Sequence, residues 1–217
     1  MAESSLHYIV HNAPDTSTHD APLLLLLHGY GSNEEDLLGL APHLDTRLFC
    51  VSARAPYEID FCGFAWFTIE MGSEGVRFDF AQAMESLVQV YALVDALAEE
   101  HRSTSVYIAG FSQGASMALS AALKKPQAFA GAIALSGFCG PEMMPEDPAS
   151  VHGFPVFMSH GRQDRVIPIA QARASKDLLD PLALDLLYTE YDMPHTIDQA
   201  CLADLATWLE ARLDGEQ

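Results

Sequence analysis

The sequence predicts an α/β chain with a mostly parallel central sheet flanked by helices, and three observations carry that expectation. Short β-rich apolar runs alternate with longer stretches of helical periodicity. Several runs, such as Leu23–Leu27, are apolar without interruption, as strands buried on both faces must be. Gly110-Phe111-Ser112-Gln113-Gly114 joins one such run directly to a helical pattern, a strand–turn–helix setting with a serine at its apex.

In chain order, strands are expected at Leu6–His11, Leu23–His28, Leu48–Ser52, Val106–Gly110, Gly131–Ser136, Val156–His160 and Leu184–Tyr191. The first helix is expected to open at Ser32 and run toward Leu44, because Ser32 and Glu35 have the spacing of a capping box. From Asp79 to about Glu100, Phe80, Ala83, Met84, Leu87, Val88, Tyr91, Val94, Leu97 and Ala98 fall on one helical face. A third helix follows Ser112 through Leu123 and stops before Pro126. The fourth opens at Pro168 and the last runs from about Asp198 to Leu213. Two segments, Arg54–Gly75 and Phe138–Phe154, fit neither period; long irregular segments are often functional loops. They are open to two readings, walls of an acyl pocket or surface excursions packed by their own aromatics.

With 217 residues, 49% of them apolar, the chain suits one folded domain spanning 1–217. Its net charge of −19 argues against nucleic acid and anionic membrane as partners and fits an acidic, solubilising surface. Cys50, Cys62, Cys139 and Cys201 show no Cys-x-x-Cys spacing, so no metal site is expected, and scattered thiols fit a reducing cytoplasm. Met1–His7 lacks the pattern of a signal peptide, and no apolar run is long enough to span a bilayer. A soluble, cytoplasmic protein is expected.

Spelling alone makes Gly-x-Ser-x-Gly a weak signal, expected by chance in roughly one chain in fifteen of this length. Its setting makes it strong. A serine on that turn stands clear of the sheet at a helix N-terminus, whose dipole favours developing negative charge. Its hydroxyl needs a base, and the base an orienting acid, in the chain order serine, acid, histidine. Asp164 follows the strand ending at His160, and His195 follows the strand ending at Tyr191. Among nine histidines only His195 lies in a loop after the acid; His28 and His160 sit in His-Gly steps and more naturally orient loops. Asp192 is the main rival acid, but it shares the loop of His195; Asp177, Asp180 and Asp185 read as helix-end and turn residues. The backbone N–H groups of Gln113, after the serine, and of Tyr30, in His28-Gly29-Tyr30-Gly31, are the expected oxyanion donors.

Leu-His-Gly-Tyr-Gly, Gly-Phe-Ser-Gln-Gly, Ser-His-Gly-Arg-Gln-Asp and the late Met-Pro-His together resemble the phospholipase/carboxylesterase family. That resemblance, which covers nearly the whole chain, implies an α/β-hydrolase fold without a large cap domain. It places the triad on Ser112, Asp164 and His195, and the oxyanion donors on Tyr30 and Gln113. Trp66 resembles a tryptophan near the family's acyl pocket, and Phe111 is expected beside it at the substrate. Ala115 stands where the family frequently has a glycine. The expected activity is a serine carboxylesterase acting on short- to medium-chain esters, with acyl-protein thioesterase or lysophospholipase as the alternative. A non-catalytic binding module is the alternative of another class. No metal or cofactor is expected; the partner is a small ester or thioester, and pairing into a homodimer is left open.

Overall fold

The computed structural model describes residues 6–11, 21–59, 63–72, 75–103 and 105–215. Its strands are β1 (Tyr8–His11), β2 (Leu23–Leu27), β3 (Phe49–Ala53), β4 (Tyr57–Ile59), β5 (Gly63–Ala65), β6 (Ile69–Gly72), β7 (Gly75–Phe78), β8 (Val106–Phe111), β9 (Gly131–Leu135), β10 (Pro155–Gly161) and β11 (Asp185–Tyr191). The helices are α1 (Phe80–His101), α2 (Gln113–Lys124), α3 (Ile169–Leu179) and α4 (Gln199–Leu213).

Seven strands form the central sheet in the order β1-β3-β2-β8-β9-β10-β11. All neighbours are parallel except β1, which pairs antiparallel with β3. The uninterrupted apolar runs have the expected cause: successive side chains of one strand enter different cores. Leu23, Leu25 and Leu27 pack with residues of α1, α2 and α3. Leu24 and Leu26 point the other way, against α4 and the 3-10 turn Asp36–His43. Because the strands run the same way, the loops after β2, β8, β10 and β11 emerge along one edge. That edge is where an open parallel sheet places its ligands.

Three expectations need correction. The helix opened by a Ser32–Glu35 capping box is instead the 3-10 turn Asp36–His43, and no side chain caps it. Ser32 is committed elsewhere: its carbonyl accepts from Phe64 N–H at 2.9 Å, while Asn33 Oδ1 accepts from Glu35 N–H at 2.8 Å. On α1, Phe80, Met84 and Val88 are 44%, 48% and 65% exposed, although they share the period of the buried face. Each step of four residues from Phe80 to Val88 turns the strip by about 40°, which carries it to the edge of the face on which Leu87, Val90, Tyr91 and Val94 are buried. Finally, much of Arg54–Gly75 is regular: β4 pairs with β5 and β6 with β7 as two antiparallel ribbons.

Cys50, Cys139 and Cys201 are buried and free, and Cys62 lies outside the described residues. Burial pushes the Cys139 thiol up to about 12 and those of Cys50 and Cys201 to about 11. No helix among the described residues is long and apolar enough to cross a membrane.

Candidate active site

Ser112 sits between β8 and α2 with φ 55° and ψ −115°, a backbone conformation that costs a non-glycine residue about 1–3 kcal/mol. Its surroundings impose that shape. The Ser112 N–H donates to Leu135 O of β9 at 2.9 Å, so the turn is pinned to the neighbouring strand. Gly110 and Gly114 let strand and helix touch backbone to backbone. A Cβ at Gly110 would lie 2.1 Å from Gly114 O, and one at Gly114 would lie 1.9 Å from Leu27 O. Small flanking residues are therefore a requirement of space here.

The structure brings Ser112, His195 and Asp164 into one hydrogen-bonded chain. Ser112 Oγ–H donates to His195 Nε2 at 2.9 Å, and His195 Nδ1–H donates to Asp164 Oδ2 at 2.6 Å. An ionised carboxylate can only accept, which leaves the imidazole proton on Nδ1 and the Nε2 lone pair toward the serine. The Asp164 side chain is fully buried, and its other oxygen accepts from Val166 and Ile167 N–H at 2.8 and 2.9 Å. Those bonds fix the carboxylate's direction. The rival Asp192 is 79% exposed and faces Arg162, whereas Asp180 and Asp185 meet Lys176 and Arg212. The Phe111 ring lies 4.8 Å from the His195 ring.

His28 and His160 do orient loops. His28 Nδ1–H donates to Gly29 O at 2.7 Å, and its Nε2 accepts from Ala55 N–H at 3.0 Å. Burial holds its pKa below the ordinary imidazole value, which favours the neutral ring these bonds need. His160 Nε2–H donates to Ile167 O at 2.8 Å and lies 3.4 Å from Asp164 Oδ2. It thus braces the loop that carries Asp164.

The loop after β2 is equally constrained. Gly31 N–H donates to Phe64 O at 2.9 Å and Ser32 N–H to Gly29 O at 3.2 Å. Among the described residues, the N–H groups of Tyr30 and Gln113 donate to no other backbone carbonyl. Their loops meet at Ser112: a Cβ at Gly29 would stand 3.4 Å from Ser112 Cβ. Arg54 clamps the loop from the far side through a two-pronged bond to the buried Glu34 carboxylate, one prong at 2.6 Å. This guanidinium holds the Glu34 carboxyl down at about 2, so the clamp stays charged across the neutral range. Nothing in the sequence pairs those two residues.

Trp66 corrects an expectation. It is completely buried and lines neither cavity of the site. Its indole N–H donates to His28 O at 2.9 Å, its backbone N–H to Gln113 Oε1 at 2.9 Å, and its carbonyl accepts from Ser86 Oγ–H at 2.6 Å. Gln113 Nε2–H completes the frame by donating to Phe67 O at 2.7 Å. The glutamine side chain thus ties the aromatic segment to α2. Gln113→Leu would leave a buried N–H and a buried carbonyl unpaired, at about 1–3 kcal/mol each. Urea unfolding should therefore show a loss of about 2–6 kcal/mol.

An apolar cavity of about 300 Å³ opens beside α2, with Ser116, one helical turn past Ser112, in its wall. Phe67 of Arg54–Gly75 and Phe138 and Met143 of Phe138–Phe154 enclose it together with Phe78 of β7, so both segments contribute to a pocket. A separate groove of about 480 Å³ is lined by Gln163, Arg165, Val166, Pro194 and His195.

The sequence matches the model of one protein family, described as Phospholipase/Carboxylesterase, over residues 11–213. Acyl-protein thioesterase 1 of Kluyveromyces lactis is 28% identical over 216 residues, covering 88% of this chain and 92% of that protein. Carboxylesterase SOBER1 of Arabidopsis thaliana is 26% identical over 145 residues. That match covers 65% of this chain and 64% of the Arabidopsis protein, just under two thirds of it. The crystal structure of esterase PE8 superimposes with a TM-score of 0.78 at 25% identity, covering 96% of this chain and 99% of that one.

Proposed function

The chain belongs to the phospholipase/carboxylesterase family of α/β-hydrolases, and from that premise we propose that it is a serine carboxylesterase forming an acyl-enzyme on Ser112. The observation that carries this reading is the hydrogen-bonded chain from Ser112 through His195 to the buried Asp164. His195 Nε2 takes the Ser112 proton as Oγ attacks the acyl carbonyl, and the tetrahedral oxyanion rests on the N–H groups of Tyr30 and Gln113. Collapse breaks the bond to the leaving oxygen or sulfur, which departs with the proton from His195. Water, deprotonated by the same imidazole, attacks the acyl-enzyme and releases the acid with Ser112 restored. Asp164 holds the tautomer and stabilises the imidazolium. Three free, buried thiols fit action in a reducing cytoplasm.

The cavity of about 300 Å³ lies at the small end of ligand sites and supports short- to medium-chain acyl groups. One observation favours a longer chain. Phe80 and Met84 line that cavity while half-exposed, and Val88 continues the apolar strip one turn further along α1. A thioesterase or lysophospholipase would use such an apron. Hydrolysis of p-nitrophenyl esters from acetate to palmitate separates the two readings. A maximum at short or medium chains, absent in Ser112→Ala, is the expected result. A maximum at palmitate would favour the longer-chain reading, and no hydrolysis of any member would overturn both.

A further inference from the structure

The groove beside His195 differs in charge from the rest of the molecule. The chain carries 30 acidic and 11 basic residues, yet none of the five residues lining the groove is acidic. Asp164, from the same loop, is turned inward with both carboxylate oxygens engaged. Five of the other seven arginines are neutralised, Arg47 by Asp45 and Asp214, Arg54 by Glu34, Arg162 by Glu190 and Asp192, Arg173 by Glu190, and Arg212 by Asp185, whereas Arg77 and Arg102 lie away from the groove. Among the described residues, Arg165 has no carboxylate within ion-pair distance. Its backbone is fixed all the same, because Asp164 N–H donates to Gly161 O and the next two amides converge on Asp164 Oδ1. An exposed, unpaired guanidinium therefore stands on a rigid turn beside the base.

The direction of the chemistry gives this cation a task. In the esterase reading, on which this inference rests, His195 returns its proton to the departing oxygen or sulfur, so the leaving group must lie against the imidazole. The apolar cavity on the α2 side takes the acyl chain, and the groove that has His195 in its wall remains for the alcohol or thiol. We infer that this groove is a leaving-group subsite in which Arg165 receives an oxyanion, a carboxylate or a phosphate, carried by the alcohol or thiol part of the substrate. A guanidinium fork matches both anions, Gln163 adds a neutral donor, and Val166 and Pro194 supply an apolar floor for a short carbon spacer. The need for such a residue follows from the chain's own charge. A surface of net charge −19 repels anions, and one free cation at the site offsets that repulsion where binding occurs.

Two matched ester pairs test this with the whole protein: ortho-nitrophenyl butanoate with its ring-carboxylated analogue, and butanoylglycerol with butanoylglycerol phosphate. The readout is the ratio of kcat/KM for the anionic member to that for the neutral one. Arg165→Gln should lower that ratio by about tenfold in at least one pair, and about 1 M salt should erase the difference. The pair with the larger drop identifies carboxylate or phosphate as the natural group. Arg102→Gln removes the same charge at the C-terminus of α1, where β8 begins rather than where it ends at the nucleophile, and should leave the ratio unchanged. An unaltered ratio in Arg165→Gln, or an equal fall in Arg102→Gln, would overturn the subsite while leaving the esterase reading intact. Failure of the wild type to hydrolyse any of the four esters would overturn both.

Discussion

Replacing Ser112 with alanine is expected to lower kcat for ester hydrolysis by about 10⁴-fold or more, with the thermal midpoint barely moved. The two halves of that result have separate causes. The Ser112 hydroxyl is engaged by His195, so its loss removes the attacking atom and one hydrogen bond at the rim of a cleft. The backbone strain at φ 55° is carried equally by alanine, and the pinning bond from Ser112 N–H to Leu135 O survives. Groups that act as a unit fail as a unit. Adding His195→Ala to Ser112→Ala should therefore cost little more than either change alone. Steady-state turnover of the preferred ester, alongside thermal melting of the same preparations, measures both effects.

The largest effect on stability is expected at Gly114. A methyl group there would sit 1.9 Å from Leu27 O and 2.6 Å from His28 O, both of them backbone atoms. No rotamer change can relieve such a contact. Either α2 lifts from β2 or the loop carrying Tyr30 is displaced, and Gly114→Ala should lose about 3 kcal/mol or more in urea unfolding. Whatever folded protein remains should also turn over slowly, since the displaced loop supplies a proposed oxyanion donor. Gly39→Ala is the matched control: nothing lies within 4 Å of the added carbon, and its unfolding midpoint should hardly shift.

These two positions lie on the part of the molecule that the sequence made legible. The central strands could be read because parallel strands buried on both faces must be apolar throughout, as Leu23–Leu27 is. The chain order of Ser112, Asp164 and His195 could be read because each follows a strand of the central sheet, β8, β10 and β11. What could not be read depended on partners distant in the chain. Ser32 has the spelling of a helix cap, but its carbonyl is taken by Phe64, on a strand that local periodicity does not reveal. Val88 is 65% exposed although it adjoins the buried Leu87, because how wide a face of α1 is covered depends on what packs against the helix. Trp66 was expected at the substrate; instead its indole supports the carbonyl of His28, a contact across 38 residues of chain. The Glu34–Arg54 clamp belongs to the same class, since charge pairing between loops leaves no periodic trace.

The central claim is that Ser112 is the residue that becomes acylated, and covalent labelling tests it most directly. The protein would be treated with a fluorophosphonate, digested, and the modified peptide sequenced by mass spectrometry. The account predicts one adduct per chain, carried by Ser112 and lost in Ser112→Ala. Absence of labelling in the folded wild-type protein, or an adduct on any other residue that persists in Ser112→Ala, would contradict it.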